Sequence, residues 1–179
     1  MGASGFTVNH AGLARSLLTK AGITPAFDTA TLPGKQWPKA SIFTAIWDTG
    51  ATNTVITQAV VDACSLHATG MVKVVGVNGP HTSETYLVNI ELPNGTGFQG
   101  ISVTKGNFSG GQILIGMDLI SQGDFAITHP HGKTVFTFQC PSVAHIDFKS
   151  TELNIRPNER CHCGSGKKFK KCCGGAFKN

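Results

Sequence analysis

From Ile42 to Phe138, apolar positions recur every second residue in short runs, not with the 3.6-residue spacing of a helix. Tyr86, Val88, Ile90 and Leu92 alternate with Asn89 and Glu91, as in a strand with one face buried. Runs rich in Val, Ile, Phe and Thr predict strands at 41–47, 71–77, 83–92, 99–104, 112–115, 124–128 and 134–138. Turn residues separate them: Asn78-Gly79-Pro80, Pro93-Asn94-Gly95, Gly106-Asn107, Gly110-Gly111 and His131-Gly132. Two segments carry helical spacing. Gln58–Leu66 puts Val60, Val61 and Cys64 on one side, and Met117–Gln122 makes about one turn before Gly123. The pattern predicts an all-β protein with one or two short helices, its sheet closed or folded over on itself.

The ends are less regular. Residues 10–23 fit two periods: Leu13, Leu17, Leu18 and Ala21 as a helix face, or Leu13, Arg15, Leu17, Thr19, Ala21 and Ile23 as a strand face. Propensity favours the helix. Residues 28–40, with Pro33, Gly34 and Pro38, read as a loop, and 141–160 lose periodicity and read as a linker. No internal repeat is present in the sequence.

Composition narrows the class. The chain has 179 residues, 40% hydrophobic and 14% charged, which excludes wholesale disorder. A body of this size buries roughly two-thirds of its unfolded surface and folds without staples. No apolar stretch approaches the ~20 residues that span a bilayer. The N-terminus has no basic start with a long apolar block, and residue 6 is Phe where a myristoylation signal carries Ser or Thr. A cytoplasmic location and no membrane partner are the expectation. Charge is uneven: seven Lys/Arg against Glu159 alone give +6 from Arg156 onward, leaving −1 for residues 1–155. The high pI therefore belongs to the tail. So do four of the six cysteines, Cys161, Cys163, Cys172 and Cys173. In a cytosolic chain that crowding reads as a metal site sooner than a disulfide framework, and Cys64 and Cys140 read as small buried apolar residues.

Candidate chemistry enters with Asp48-Thr49-Gly50-Ala51, directly behind the strand-like run Ser41–Trp47. An Asp after a strand also serves as a turn or capping residue, and Asp28-Thr29-Ala30 shows how readily the first two letters occur. Here the context differs. Ile46 and Trp47 keep the carboxylate partly dry, Thr49 supplies a hydroxyl for the supporting shell, and Gly50 lets backbone approach closely. WDTGATNTVIT (47–57) followed by ILIGMDLI (113–120) resembles the retropepsin-type aspartic proteases, over roughly residues 36–140. The resemblance implies that Asp48 is the catalytic carboxylate and that Thr49 and Gly50 complete its loop. It implies that Ile113–Gly116 pack beneath that loop, and that Lys73–Tyr86 form a flap with an Asn78-Gly79 turn. Substrate contacts would come from Ala51, Thr52, Gly76, Val77, Asn78, Gly79 and Ile115.

That chemistry needs two carboxylates sharing one proton, because like charges so close cannot both ionise. The chain has one Asp-Thr-Gly, so the second Asp48 has to come from another copy across a two-fold axis. Thr52 and Asn53 stand where viral relatives often carry acidic residues, and Met117 where they place an arginine. Asp118 reads as a first-turn dipole partner of its short helix. Ala51 in place of Ser removes one hydrogen bond from the carboxylate, which predicts activity from mildly acidic to neutral pH.

In the tail, Cys161 and Cys163, then Cys172 and Cys173 after an eight-residue loop, suit a closed tetrahedral Zn²⁺ site, with Phe169 covering it. The stretch resembles the SEC-C motif, which implies structural zinc and docking to a protein or ribosomal partner, with no open position for catalysis. The flanking lysines also suit nucleic acid, a reading not favoured here. The expected division is an N-terminal segment of unassigned role (1–35), a protease-like domain (36–140), a linker (141–158) and a zinc module (159–175). The expected function is an aspartic endopeptidase acting as a homodimer on peptides or unfolded proteins. The alternative is a catalytically silent dimer of the same fold that grips peptides.

Overall fold

A computed structural model describes residues 2–32, 37–76, 79–147, 156–161 and 165–175. Ten strands carry the chain: β1 (Ser4–Asn9), β2 (Leu17–Pro25), β3 (Ser41–Trp47), β4 (Val55–Ile56), β5 (Gly70–Gly76), β6 (Gly79–Glu91), β7 (Gly97–Lys105), β8 (Ile113–Ile115), β9 (Asp124–Thr128) and β10 (Val135–Cys140). Two short helices, α1 (Gln58–Ala63) and α2 (Met117–Ile120), interrupt them. The protein is mostly β, as its alternation predicts.

One sheet runs β2-β3-β8-β4-β7-β6-β5, and a further pairing of β2 with β6 closes the first six members into a barrel. Closure removes most open edges. β6 makes it feasible by changing neighbours along one side: Gly79–Thr85 pair with β5, while Val88–Glu91 pair with β2. A bulge at Asn89 accompanies the change. Its side chain accepts from Gly100 N–H at 2.8 Å and donates to Phe27 C=O at 2.9 Å. Inside the barrel, Ile23, Ile56, Val88, Val103, Ile113 and Ile115 are fully buried.

The second sheet, β1-β10-β9, covers the end of the barrel where Trp47 emerges. Phe6, Phe125, Phe136 and Phe138 surround that indole with ring centroids 4.9–5.9 Å away. Such contacts contribute about 0.5–1.5 kcal/mol each beyond burial. The indole N–H donates to Thr19 Oγ1 at 2.9 Å. Trp47 is thereby fixed from both sheets, and it is the residue that precedes Asp48.

The helix favoured for 10–23 is not formed. Residues 17–25 are strand β2, because Leu17–Ile23 pair with β3 and Gly22–Pro25 with β6. Long-range pairing overrides a local preference that was small to begin with. The N-terminal residues thus have a place, one strand in each sheet.

Candidate functional site

The chain turns sharply after Trp47. Asp48 N–H donates to Ile115 C=O at 3.0 Å, which ties the loop to β8, whose residues pair parallel with β3 from Ala45↔Ile113 to Trp47↔Ile115. Ala51 N–H closes the turn on Asp48 C=O at 3.2 Å. Gly50 N–H donates to Asp48 Oδ1 at 2.8 Å, so the carboxylate is oriented by backbone. A Cβ at Gly50 would sit 3.2 Å from that same oxygen. Asp48 is half-buried; Thr49 and Gly50 are exposed. Thr49 does not brace the carboxylate as expected: among the described residues its hydroxyl has no partner and faces outward.

The supporting bonds come instead from a pair 64 residues apart. Asp118 accepts from Thr54 N–H at 2.9 Å and from Thr54 Oγ1 at 2.8 Å, and Thr54 Oγ1 in turn accepts from Gly116 N–H at 3.2 Å. Thr54 is fully buried and Asp118 half-buried, so these charge-assisted bonds are partly shielded from water. Asp118 is therefore a brace between the Asp48 loop and α2, not merely the dipole partner expected. Gly116 is required by close approach. A Cβ there would lie 2.6 Å from the carbonyl carbon and oxygen of Asn53. Met117 N–H to Ala51 C=O at 2.8 Å and Asp118 N–H to Thr52 C=O at 3.1 Å complete the join.

A cleft of about 300 Å³ opens beside Asp48 and Thr49, walled by Arg15, Leu17, Phe125, Ile127 and His129. Arg15 and His129 were not singled out by spacing; only the pairing of β2 with β3 and the return of β9 bring them here. Ile115, expected as a substrate contact, is corrected to a structural role. It is fully buried, and its carbonyl holds the loop.

β5 and β6 form the expected hairpin, offset by one residue. Gly76 pairs with Gly79, so residues 77 and 78 connect the strands instead of Asn78-Gly79. Val77 and Asn78 lie outside the described residues. Met71 and Val75 on this hairpin are 70% and 80% exposed, an apolar arm with little beneath it. At its base Glu84 pairs with Lys105, and Tyr86 OH donates to Glu84 at 3.0 Å. The Lys105 hydrogen bond, then that of Tyr86, hold Glu84 below the usual carboxylate range.

In the tail, the sulfurs of Cys161, Cys172 and Cys173 lie within 4.8 Å of one another. Cys163 and His162 lie outside the described residues. Tetrahedral zinc with Zn–S bonds of ~2.3 Å sets its sulfurs about 3.8 Å apart, so the three thiols suit that geometry. Cys161 is buried although few apolar groups are near it in sequence. A small backbone scaffold holds the cluster: Cys161 N–H to Lys167 C=O at 2.8 Å, Phe169 N–H to Glu159 C=O at 2.8 Å, and Cys172 N–H to Phe169 C=O at 3.0 Å. The Phe169 ring packs on Gly174, where a Cβ would approach it to 2.7 Å.

Comparison with known proteins treats the two regions differently. In fold, the chain is similar to a retropepsin-like aspartic protease from Rickettsia conorii at 14% identity, with 78% of this chain and 96% of that one covered and a TM-score of 0.49. It is similar to the EIAV protease at 17% identity, covering 61% and 88%, with a TM-score of 0.45. These identities say nothing of activity. Over 43 residues, 24% of this chain, it is 46% identical to the protein translocase subunit SecA of Lachnoclostridium phytofermentans, and the match spans 5% of that protein's length. Residues 158–175 match the family model of the SEC-C motif, and that is the identity of the C-terminal segment.

Proposed function

We propose that the protein is an aspartic endopeptidase completed by a second copy of itself, with a zinc-bound tail that docks to a protein or ribosomal partner. The observation that carries this reading is the loop at Asp48: a half-buried carboxylate, oriented by Gly50 N–H at 2.8 Å, beside an open cleft. Asp48 is the catalytic residue, and Thr49, outward-facing, lies against the other protomer. Ala51, Thr52 and the hairpin residues Gly76, Val77, Asn78 and Gly79 line the substrate path.

One Asp48 of the pair is ionised and the other protonated. The ionised group takes a proton from water as the water oxygen bonds to the peptide carbonyl carbon. The other group gives its proton to the carbonyl oxygen. The tetrahedral diol then collapses: the C–N bond breaks, the nitrogen leaves with the proton now held by the first Asp48, and one diol hydroxyl returns its proton to the second Asp48 as the carboxyl group forms. In the tail, Cys161, Cys172, Cys173 and, from its spacing, Cys163 hold Zn²⁺, which orders the segment and takes no part in hydrolysis.

The test compares the protein with Asp48→Asn on unfolded protein substrates from pH 4 to 7, with and without pepstatin. Cleavage by the native chain alone, blocked by pepstatin, is expected. A dimer that binds these substrates and cleaves none would replace this reading with that of a silent peptide-gripping protein.

A further inference from the structure

A second cleft, of about 420 Å³, lies at the other end of β2. Its floor is set by register. Gly22 and Thr24 of β2 stand opposite Glu91 and Asn89 of β6, all four turned to the outer face of the barrel. Phe27 and Trp37 from the connection between β2 and β3 form the wall. On β2, Gly22 is five residues from Leu17, the partner of Trp47, so the cleft is about 17 Å along the strand from the Asp48 loop.

Three features of this cleft are unexplained by folding alone. Thr24 is only 6% exposed, yet its hydroxyl has no hydrogen-bond partner among the described residues, which leaves a buried polar group unpaired. The Glu91 carboxylate has no ion-pair partner among the described residues. Trp37 is half exposed but not loose: its N–H donates to Leu32 C=O at 2.9 Å, and its ring is 6.0 Å from that of Phe27. Asn89 does not serve the orphaned hydroxyl: its amide oxygen accepts from Gly100 N–H and its NH2 donates to Phe27 C=O. Gly22 keeps the floor open, because a Cβ there would lie 2.9 Å from Ala40 Cβ and 3.5 Å from Glu91 Cβ.

We infer that this cleft binds a guanidinium group, the side chain of an arginine supplied from outside the chain. The chemistry matches term by term. An aromatic face stacks on a planar cation, an unpaired carboxylate neutralises it, and a buried hydroxyl accepts one of its five N–H groups. An ammonium fits less well, because it is a strongly hydrated point charge without a face to stack. The volume lies in the range of small-ligand sites.

The experiment titrates the full-length protein with N-acetyl-arginine methylamide, followed by calorimetry and by the Trp37 indole N–H signal in NMR. Saturable binding is expected, with shifts at Trp37 and at 22–24 and 89–91. Glu91→Gln, an exposed and isosteric change, should weaken it at least tenfold, and Thr24→Val several-fold. The lysine analogue should bind at least tenfold more weakly, and Asp48→Asn should leave affinity unchanged. The absence of saturable shifts would mean a cleft filled by water alone and would overturn the inference. Equal affinity for Glu91→Gln, or for the lysine analogue, would overturn it as well. Tighter binding in Arg156→Gln/Arg160→Gln would instead make the chain's own tail the occupant and overturn the external source.

Discussion

The Asp48 loop and the tail cysteines are both small constellations of few residues, yet they are ordered by opposite means. The loop is held from outside itself. Ile115 accepts its first N–H, Thr54 and Asp118 join it to α2, and a five-ring aromatic cluster fixes the residue before it. Its geometry is inherited from a barrel core that would fold with or without Asp48. Among the described residues the tail has no comparable core. Its cluster rests on a handful of backbone bonds and on one aromatic ring over a glycine. A site embedded in a core can carry half-exposed polar groups without further support; a cluster with so little beneath it would be ordered by the Zn²⁺ proposed for it.

The sharpest way to break this contrast is to deprive the tail of the proposed Zn²⁺. Chelation, or Cys161→Ser, should cost the tail on the order of 10 kcal/mol of local folding energy. Amide exchange across 156–175 should become unprotected while the main unfolding transition stays in place. A body that melts with the tail would show that the two are not ordered independently. Asp48→Asn tests the other half. The proposed peptidase activity should fall about 10³-fold, as for loss of a general acid–base group, with thermal stability nearly unchanged. Asp118→Asn probes the brace. Losing its charge-assisted bonds to Thr54 should destabilise the fold by about 1–3 kcal/mol and lower activity without shifting its pH optimum.

The smallest effect concerns Asp124 at the exit from the second sheet. It accepts from Ser142 Oγ at 2.5 Å and from Gln139 Nε2, Val143 N–H and Ala144 N–H at 2.8 Å each. These bonds, the Ser142 hydroxyl foremost, hold its carboxyl well below the usual carboxylate range. A folded value below the unfolded one gives stability that is complete above the unfolded value, near 4, and is lost as pH falls through the folded value. Thermal melts of Asp124→Asn should therefore differ from the native chain at pH 7 and converge with it in strong acid.

Much of this architecture was readable in advance, for identifiable reasons. Strand β3 matches its expected bounds because Ser41–Trp47 is a β-branched and aromatic run closed by Asp-Thr-Gly. β2 was obscured because Leu17 and Ala21 satisfy both periods, and only its partners β3 and β6 decide between them. β1 escapes the sequence pattern, though Phe6 and Val8 alternate with polar neighbours; six residues amid glycines give too short a signal. Asp48 and Gly50 stood out because a tight turn writes itself locally. Thr54 and Asp118 did not, since a bond across 64 residues leaves no mark on either neighbourhood. Arg15 and His129 share a cleft with Asp48 for the same non-local reason.

The change of neighbours along β6 has a mechanical consequence. β7 pairs with β6 only from Thr85 onward, so residues 70–76 and 79–84 stand beyond the barrel as a ribbon two strands wide. A ribbon of that width is marginal in water on its own. Tilting it breaks no rung of the barrel, and the pivot falls at Thr85–Tyr86, where the Lys105–Glu84–Tyr86 contacts cross. The arm therefore hangs on few side-chain contacts, those of Ser83, Glu84 and Tyr86, while the cylinder behind it is closed by its own rungs.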